Sequence, residues 1–151
     1  MARRMNAEEH ARRVRLSSFG WMVQEVSHQS QQRLTAELKK LGLSLPHFPV
    51  LMVALEHGPL SQAEIGRYYH RPAYVISRAL DGLEERGLIE RRPHPNSRRA
   101  HAVHVTEAGN QLAERLYDAV GLVNDLNLAP LSDQERETLV GLLARLLPRT
   151  G

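Results

Sequence analysis

Between Ser61 and Val105 the apolar residues change period from helical to strand-like, and that change constrains the fold more than any other feature of the chain. Ser61-Gln62-Ala63-Glu64 is a capping box: the serine hydroxyl can accept from the Glu64 N–H while the glutamate reaches back to the serine N–H. The short helix it opens is expected to end near Tyr69, with a tight connection through His70 and Arg71. Pro72 suits the first turn of a second helix, where a missing N–H costs nothing. Ile76, Leu80 and Leu83 then form a buried stripe, with Tyr74, Ser77, Arg78 and Asp81 on the other side. Gly87 is a natural stop. Leu88–Arg92 and His101–Val105 read as two short strands around a loop of Pro, Asn and Ser, which predicts a hairpin.

Helix, tight turn, helix and hairpin in this order make a winged helix-turn-helix arrangement. An exposed helix face fits the major groove of B-DNA, the preceding helix crosses the backbone, and a basic hairpin reaches flanking phosphates or a minor groove. The charge falls in the same place. Net charge is only +3, but residues 61–105 hold eight Arg against five acids, while the rest of the chain holds twelve basic and twelve acidic residues. The candidate DNA contacts are Arg71, Tyr74, Ser77 and Arg78 on the second helix, Arg98 and Arg99 in the wing loop, and Arg91 with Arg92 at its base. Arg91 and Arg92 project to opposite faces of a strand, so only one can face DNA and the other can pair with Glu90 or another acid.

The flanks are helical. Leu16, Met22, Val26, Leu34, Leu38 and Leu41 recur at near-helical spacing and predict one helix from about Asn6 to Leu41, ended by Gly42. Ser44 is placed to cap the next helix, with Pro46 in its first turn. After the hairpin, Thr106 caps a helix carrying Leu112, Leu116, Val120 and Val123, broken at Ala129-Pro130. Ser132-Asp133-Gln134-Glu135 is a second capping box before Leu139, Leu142, Leu143, Leu146 and Leu147. These stripes are wider than one small lobe needs. They can serve an intrachain core or an interface between two chains, and the second reading predicts a homodimer on a roughly palindromic operator.

Other classes are poorly supported. A length of 151 residues with 42% apolar and 25% charged residues is that of an ordinary globular domain. The absence of cysteine excludes disulfides and thiol chemistry. The longest apolar run, Phe48–Leu55, is far short of a membrane span, and the basic start lacks the apolar core of a secretory signal, so no membrane partner and a cytoplasmic location are expected. His101 and His104 face opposite sides of a strand, and the remaining histidines are scattered, so neither a metal site nor a cofactor is expected. No phosphate loop or nucleophile elbow is present, and Glu84 and Glu85 diverge on their helix, which argues against an enzyme.

Over three elements at fixed spacing the chain resembles the MarR family of bacterial transcription regulators. The likeness lies in Ser61–Ile65, Val75–Arg91, Ser97-Arg98-Arg99 and Val103–Gly109. It follows the pattern Leu-Glu-x-x-Gly-Leu-Ile/Val-x-Arg, a basic wing, then Leu-Thr-x-x-Gly, with Val105 in place of the leucine. The flanking helices match in order and length. The resemblance implies a mainly α fold with a small β-hairpin wing, residues 44–105 forming the winged helix-turn-helix DNA-binding region and residues 1–43 and 106–151 a helical dimerisation region. It implies a dimeric, sequence-specific repressor that binds double-stranded DNA and answers to a small aromatic or phenolic effector. Trp21, His47 and Phe48 are the candidates for lining the effector site. Two further features depart from the family. Ser97 stands where relatives carry an aspartate that orders the wing through an ion pair, so a looser wing is expected. The helix start Arg71-Pro72-Ala73-Tyr74 is unusual, so no operator sequence carries over. The rival readings are a winged-helix module that grips a partner protein and a small hydrolase with an atypical site.

Overall fold

The apolar period from Asn6 to Leu41 is interrupted. In the computed structural model, which describes residues 6–148, it forms two helices, α1 (Ala7–Ser17) and α2 (Phe19–Lys40). They part at Ser18, whose backbone is extended at φ −78° and ψ 118°. The Ser18 hydroxyl accepts from the Trp21 N–H at 3.4 Å, while the Ser17 hydroxyl bonds back to the Arg13 carbonyl at 2.8 Å. Serines offer the backbone such local partners in place of the helical ladder, so the pair ends one helix and starts the next.

Helix α3 (His47–His57) also differs from expectation. Ser44 does not cap it; the Ser44 N–H instead donates to Nδ1 of His47 at 3.1 Å, and Pro46 precedes the helix with no side-chain cap. The next segment follows the sequence closely. A two-residue strand β1 (Leu60–Ser61) leads into α4 (Gln62–Tyr69), and the Ser61–Glu64 capping box is complete. Helix α5 spans Ala73–Glu85, with Pro72 just before it and Gly87 beyond its end at φ +68°. Strands β2 (Ile89–Pro93) and β3 (His101–Val105) form the hairpin, with Ile89 opposite Val105 and Pro93 opposite His101. β1 adds to the far side of β3, giving an antiparallel sheet of order β1-β3-β2. Thr106 caps α6 (Glu107–Leu128), and the second capping box opens α7 (Asp133–Leu146).

One core serves all the central elements. Leu38, Leu51, Ile65, Ile76, Leu80, Leu83 and Leu116 are fully buried, from α2, α3, α4, α5 and α6. The motif Val105-Thr106-x-x-Gly109 has a packing reason. The Thr106 hydroxyl donates to the Gly87 carbonyl at 2.6 Å, and Gly109 lies so close to the Leu88 carbonyl that a Cβ there would collide with it. The outer helices are tied by polar contacts. Arg33 of α2 donates to the Leu126 carbonyl at 3.0 Å and to Asn127 Oδ1 at 2.7 Å, and Arg136 of α7 donates to the Leu128 and Leu131 carbonyls at the end of α6. Arg86, just past α5, donates to the Leu41 carbonyl at the end of α2 at 3.3 Å, its guanidinium lying where a side chain at Gly42 would sit.

No residue of α1 or α7 is buried. Leu142, Leu143, Leu146 and Leu147 remain exposed, as do Val14, Leu16, Phe19, Met22 and Val26 on the first two helices. Among the described residues no helix is long and apolar enough to cross a membrane.

Candidate nucleic-acid interface

The helix pair is fixed from inside. Ile65 anchors α4, and Ile76, Ala79, Leu80 and Leu83 anchor α5. The turn between them bends at His70, which takes the left-handed conformation (φ 52°, ψ 42°) and donates its N–H to the Gly66 carbonyl at 2.9 Å. Gln62 reaches across the turn, its Nε2 donating to the Ala73 carbonyl at 3.1 Å. This side-chain strut between the start of α4 and the start of α5 is invisible to local sequence reading.

With one face of α5 in the core, the other is presented to solvent. Tyr74 and Arg78 are exposed and Ser77 is half-buried on successive turns. The Arg71 guanidinium lies 5.5 Å from the centre of the Tyr69 ring, a cation–π contact that holds the charge at the mouth of the turn. The Arg78 guanidinium has no hydrogen-bond or ion-pair partner among the described residues.

Arg91 has a different place from the one its sequence position suggests. Its guanidinium donates to Glu84 Oε2 at 2.5 Å and to Asp81 Oδ1 at 2.6 Å, and its backbone N–H donates to Glu84 Oε1 at 2.9 Å. Partial burial works against its charge, but the two carboxylates more than offset this and raise its pKa above the ordinary arginine value. Arg91 therefore braces the root of the wing against α5, with one N–H from each terminal nitrogen going to a carboxylate. Arg92, on the opposite face of β2, pairs with Glu90.

At the wing tip Ser97 caps the turn. Its hydroxyl accepts from the N–H groups of Arg99 at 3.3 Å and Ala100 at 3.1 Å. His94 Nδ1 accepts from the Asn96 N–H at 3.1 Å, and its Nε2 lies 4.0 Å from Glu64 at the start of α4. Ser97 thus closes a hydroxyl-capped turn, its oxygen accepting from nearby backbone donors in place of the ion pair that an aspartate would make. The side chains of Arg98 and Arg99 are exposed and unpaired among the described residues. Glu64 is held below the usual carboxylate range by the Ser61 backbone and hydroxyl donors, and next by His94 and Arg67.

The three effector candidates sit apart in character. Trp21 is half-exposed in the first turn of α2. His47 is engaged: Nδ1 takes the Ser44 N–H, and Nε2 lies 2.6 Å from where a Cβ on Gly82 would stand. Burial, and then the nearby Arg86 charge, lower its pKa. Phe48 packs against the core. The cleft of about 230 Å³ beside the wing is lined by Ser61, Gln62, Ala63, Leu80, Arg91, Ala100, His101 and Val103, and by neither Trp21 nor His47. Among the described residues no group of three or more His, Asp or Glu is placed to hold a metal ion.

Comparison with known proteins agrees with this geometry. A model of the MarR family matches residues 41–100. A protein of Thauera aromatica described as a transcriptional regulator for the hcr operon is 32% identical over 137 residues, covering 91% of this chain and 76% of its own length. A crystal structure of a transcriptional regulator from Pseudomonas aeruginosa superposes with a TM-score of 0.79 at 33% identity, covering 87% of this chain and 98% of the other. A mutant of E. coli MarR complexed with operator DNA superposes with a TM-score of 0.78 at 25% identity, over 89% and 97% of the two chains. The chain belongs to the MarR family of transcriptional regulators.

Proposed function

We propose that this protein is a homodimeric, sequence-specific repressor that lays α5 in the major groove and its wing on flanking phosphates. The observation that carries this reading is the division of α5 into a fully buried stripe and an outward face bearing Tyr74, Ser77 and unpaired Arg78, with unpaired Arg98 and Arg99 on the adjacent wing. An arginine can bond O6 and N7 of guanine together, and a serine can serve either a base or a phosphate. The E. coli relative solved on operator DNA supports the same use of the fold.

The dimer reading rests on the outer helices. Leu146, Leu147, Phe19 and Val26 are each more than 60% exposed, and such exposed apolar side chains on the outer helices support a protein–protein contact there. A two-fold axis would set the two α5 helices on successive major grooves, with half-site centres about 10 bp apart. The reading extends to a small aromatic or phenolic effector seated between the outer helices and the DNA lobe, near Trp21. It is supported by family membership, and a thermal-shift screen of hydroxybenzoates, read beside loss of DNA binding, tests it.

The test of the main reading is selection of bound fragments from genomic DNA, followed by titration of wild type and Arg78→Ala. If Arg78 reads a base, the variant loses about 1–3 kcal/mol on the selected duplex and much less on random DNA. Equal losses on both would reduce Arg78 to a phosphate contact, and no selected duplex at all would refute the reading. Sedimentation at micromolar concentration should give twice the chain mass.

A further inference from the structure

The face of α5 is graded in chemistry from its start to its end. The first turn offers Ala73 and Tyr74, the second Ser77 and Arg78, and the third Asp81. Tyr74 is 68% exposed, and its hydroxyl makes no hydrogen bond among the described residues. The other tyrosines of this lobe are occupied: Tyr68 stacks on His57 at 4.2 Å and Tyr69 lies under Arg71. Tyr74 alone of the three keeps its ring available at the outward edge of the helix. At the far end, Asp81 could accept from the amino group of cytosine. One oxygen of its carboxylate is instead held by Arg91 at 2.6 Å, so part of its accepting capacity is used within the protein.

The spacing then matters. Tyr74 and Arg78 are four residues apart, about 6 Å along a helix that rises 1.5 Å per residue. A recognition helix lies along the major groove, so two side chains this far apart on one face address different base pairs of a half-site. Among base edges in the major groove, only thymine presents a methyl group, and apolar or aromatic side chains recognise it by contact.

We propose that Tyr74, with Ala73 beside it, reads the 5-methyl group of a thymine in each operator half-site, at a different base pair from the guanine read by Arg78. This rests on the DNA-binding reading above and adds to it the identity of the bases. The unusual helix start then acquires a role, as the part of α5 that reads the methyl group.

The experiment uses the full-length protein and the duplex it selects from genomic DNA. Each thymine is replaced in turn by 2′-deoxyuridine, which removes the methyl and leaves every hydrogen-bonding group in place. At one symmetric position the replacement should weaken wild-type binding about fourfold per half-site, the worth of one buried methyl-sized group. Tyr74→Phe should keep this sensitivity. Tyr74→Ala should bind the thymine duplex more weakly and no longer distinguish it from the deoxyuridine duplex. Tight binding of the selected duplex with no thymine whose methyl is felt differently by wild type and Tyr74→Ala would overturn the inference and leave the DNA-binding reading standing. Failure to select any duplex would overturn both.

Discussion

Arg91 separates a structural brace from a phosphate contact, and Arg91→Ala tells which it is. The substitution removes the 2.5 Å contact to Glu84 and the 2.6 Å contact to Asp81, while the backbone bond to Glu84 survives. The Arg91 side chain is 24% exposed, but Asp81 is 57% and Glu84 39% exposed, so solvent screens both pairs. Each pair is then worth about 0.2–1 kcal/mol, and the two together about 0.5–2 kcal/mol. For a chain of this size that is a fall in Tm of about 2–6 °C at fixed protein concentration. Asp81→Asn paired with Arg91→Ala in a double-mutant cycle, followed by urea unfolding, should give a coupling of about 0.5–1 kcal/mol. On DNA, Arg91→Ala should weaken binding by exposing two uncompensated carboxylates, with the dependence on salt barely changed. A phosphate ligand behaves otherwise: its loss lowers the salt slope by about one unit and leaves stability alone. A coupling near zero together with that drop in slope would refute the brace.

Replacing Arg98 and Arg99 together by alanine should lower the salt slope of DNA binding by about one to two units without moving the urea midpoint, and an unchanged slope would remove the wing from the interface. His70→Val should cost about 1–2 kcal/mol of stability, because a β-branched residue resists the left-handed backbone at φ 52°, whereas His70→Gly should be neutral or slightly stabilising; equal stability of the two variants would contradict the turn geometry. The lowered pKa of His47 predicts acid sensitivity. Below about 6.5 the unfolded chain takes up a proton that the folded one refuses, so stability falls with pH until the folded value is reached. His47→Gln should flatten the Tm profile between pH 5 and 7, and a profile that keeps its slope would place the effect elsewhere. Glu64 acts in a separate, lower window: its depressed pKa stabilises the fold above its unfolded value of about 4.3, a contribution lost as pH drops through the folded value.

Elements whose signals are local were legible in the sequence. The Ser61–Glu64 and Ser132–Glu135 boxes, the Ile76–Leu80–Leu83 stripe, Gly87 and the hairpin strands each depend on residues within one or two turns of one another, and each forms as read. The break at Ser18 was hidden because the apolar phase runs through it, and only the cap bond to Trp21 declares it. β1 was missed because two residues become a strand only when β3 lies alongside. The brace at Arg91 joins positions seven and ten residues apart across two elements, beyond any helical or strand period. The strut from Gln62 to Ala73 has the same character. The stripe of α7 could equally have belonged to an inner core, since periodicity reports an apolar face and is silent on what covers it.

The bond from Arg86 to the Leu41 carbonyl welds the tail of the helix that would read DNA to the tail of the long arm α2. Gly42 makes the weld possible twice over, by its positive φ of 70° and by the missing side chain that leaves room for the guanidinium. A tilt of the arm is therefore felt at the end of α5, and any residue placed at position 42 has to take the left-handed backbone and push the Arg86 guanidinium aside.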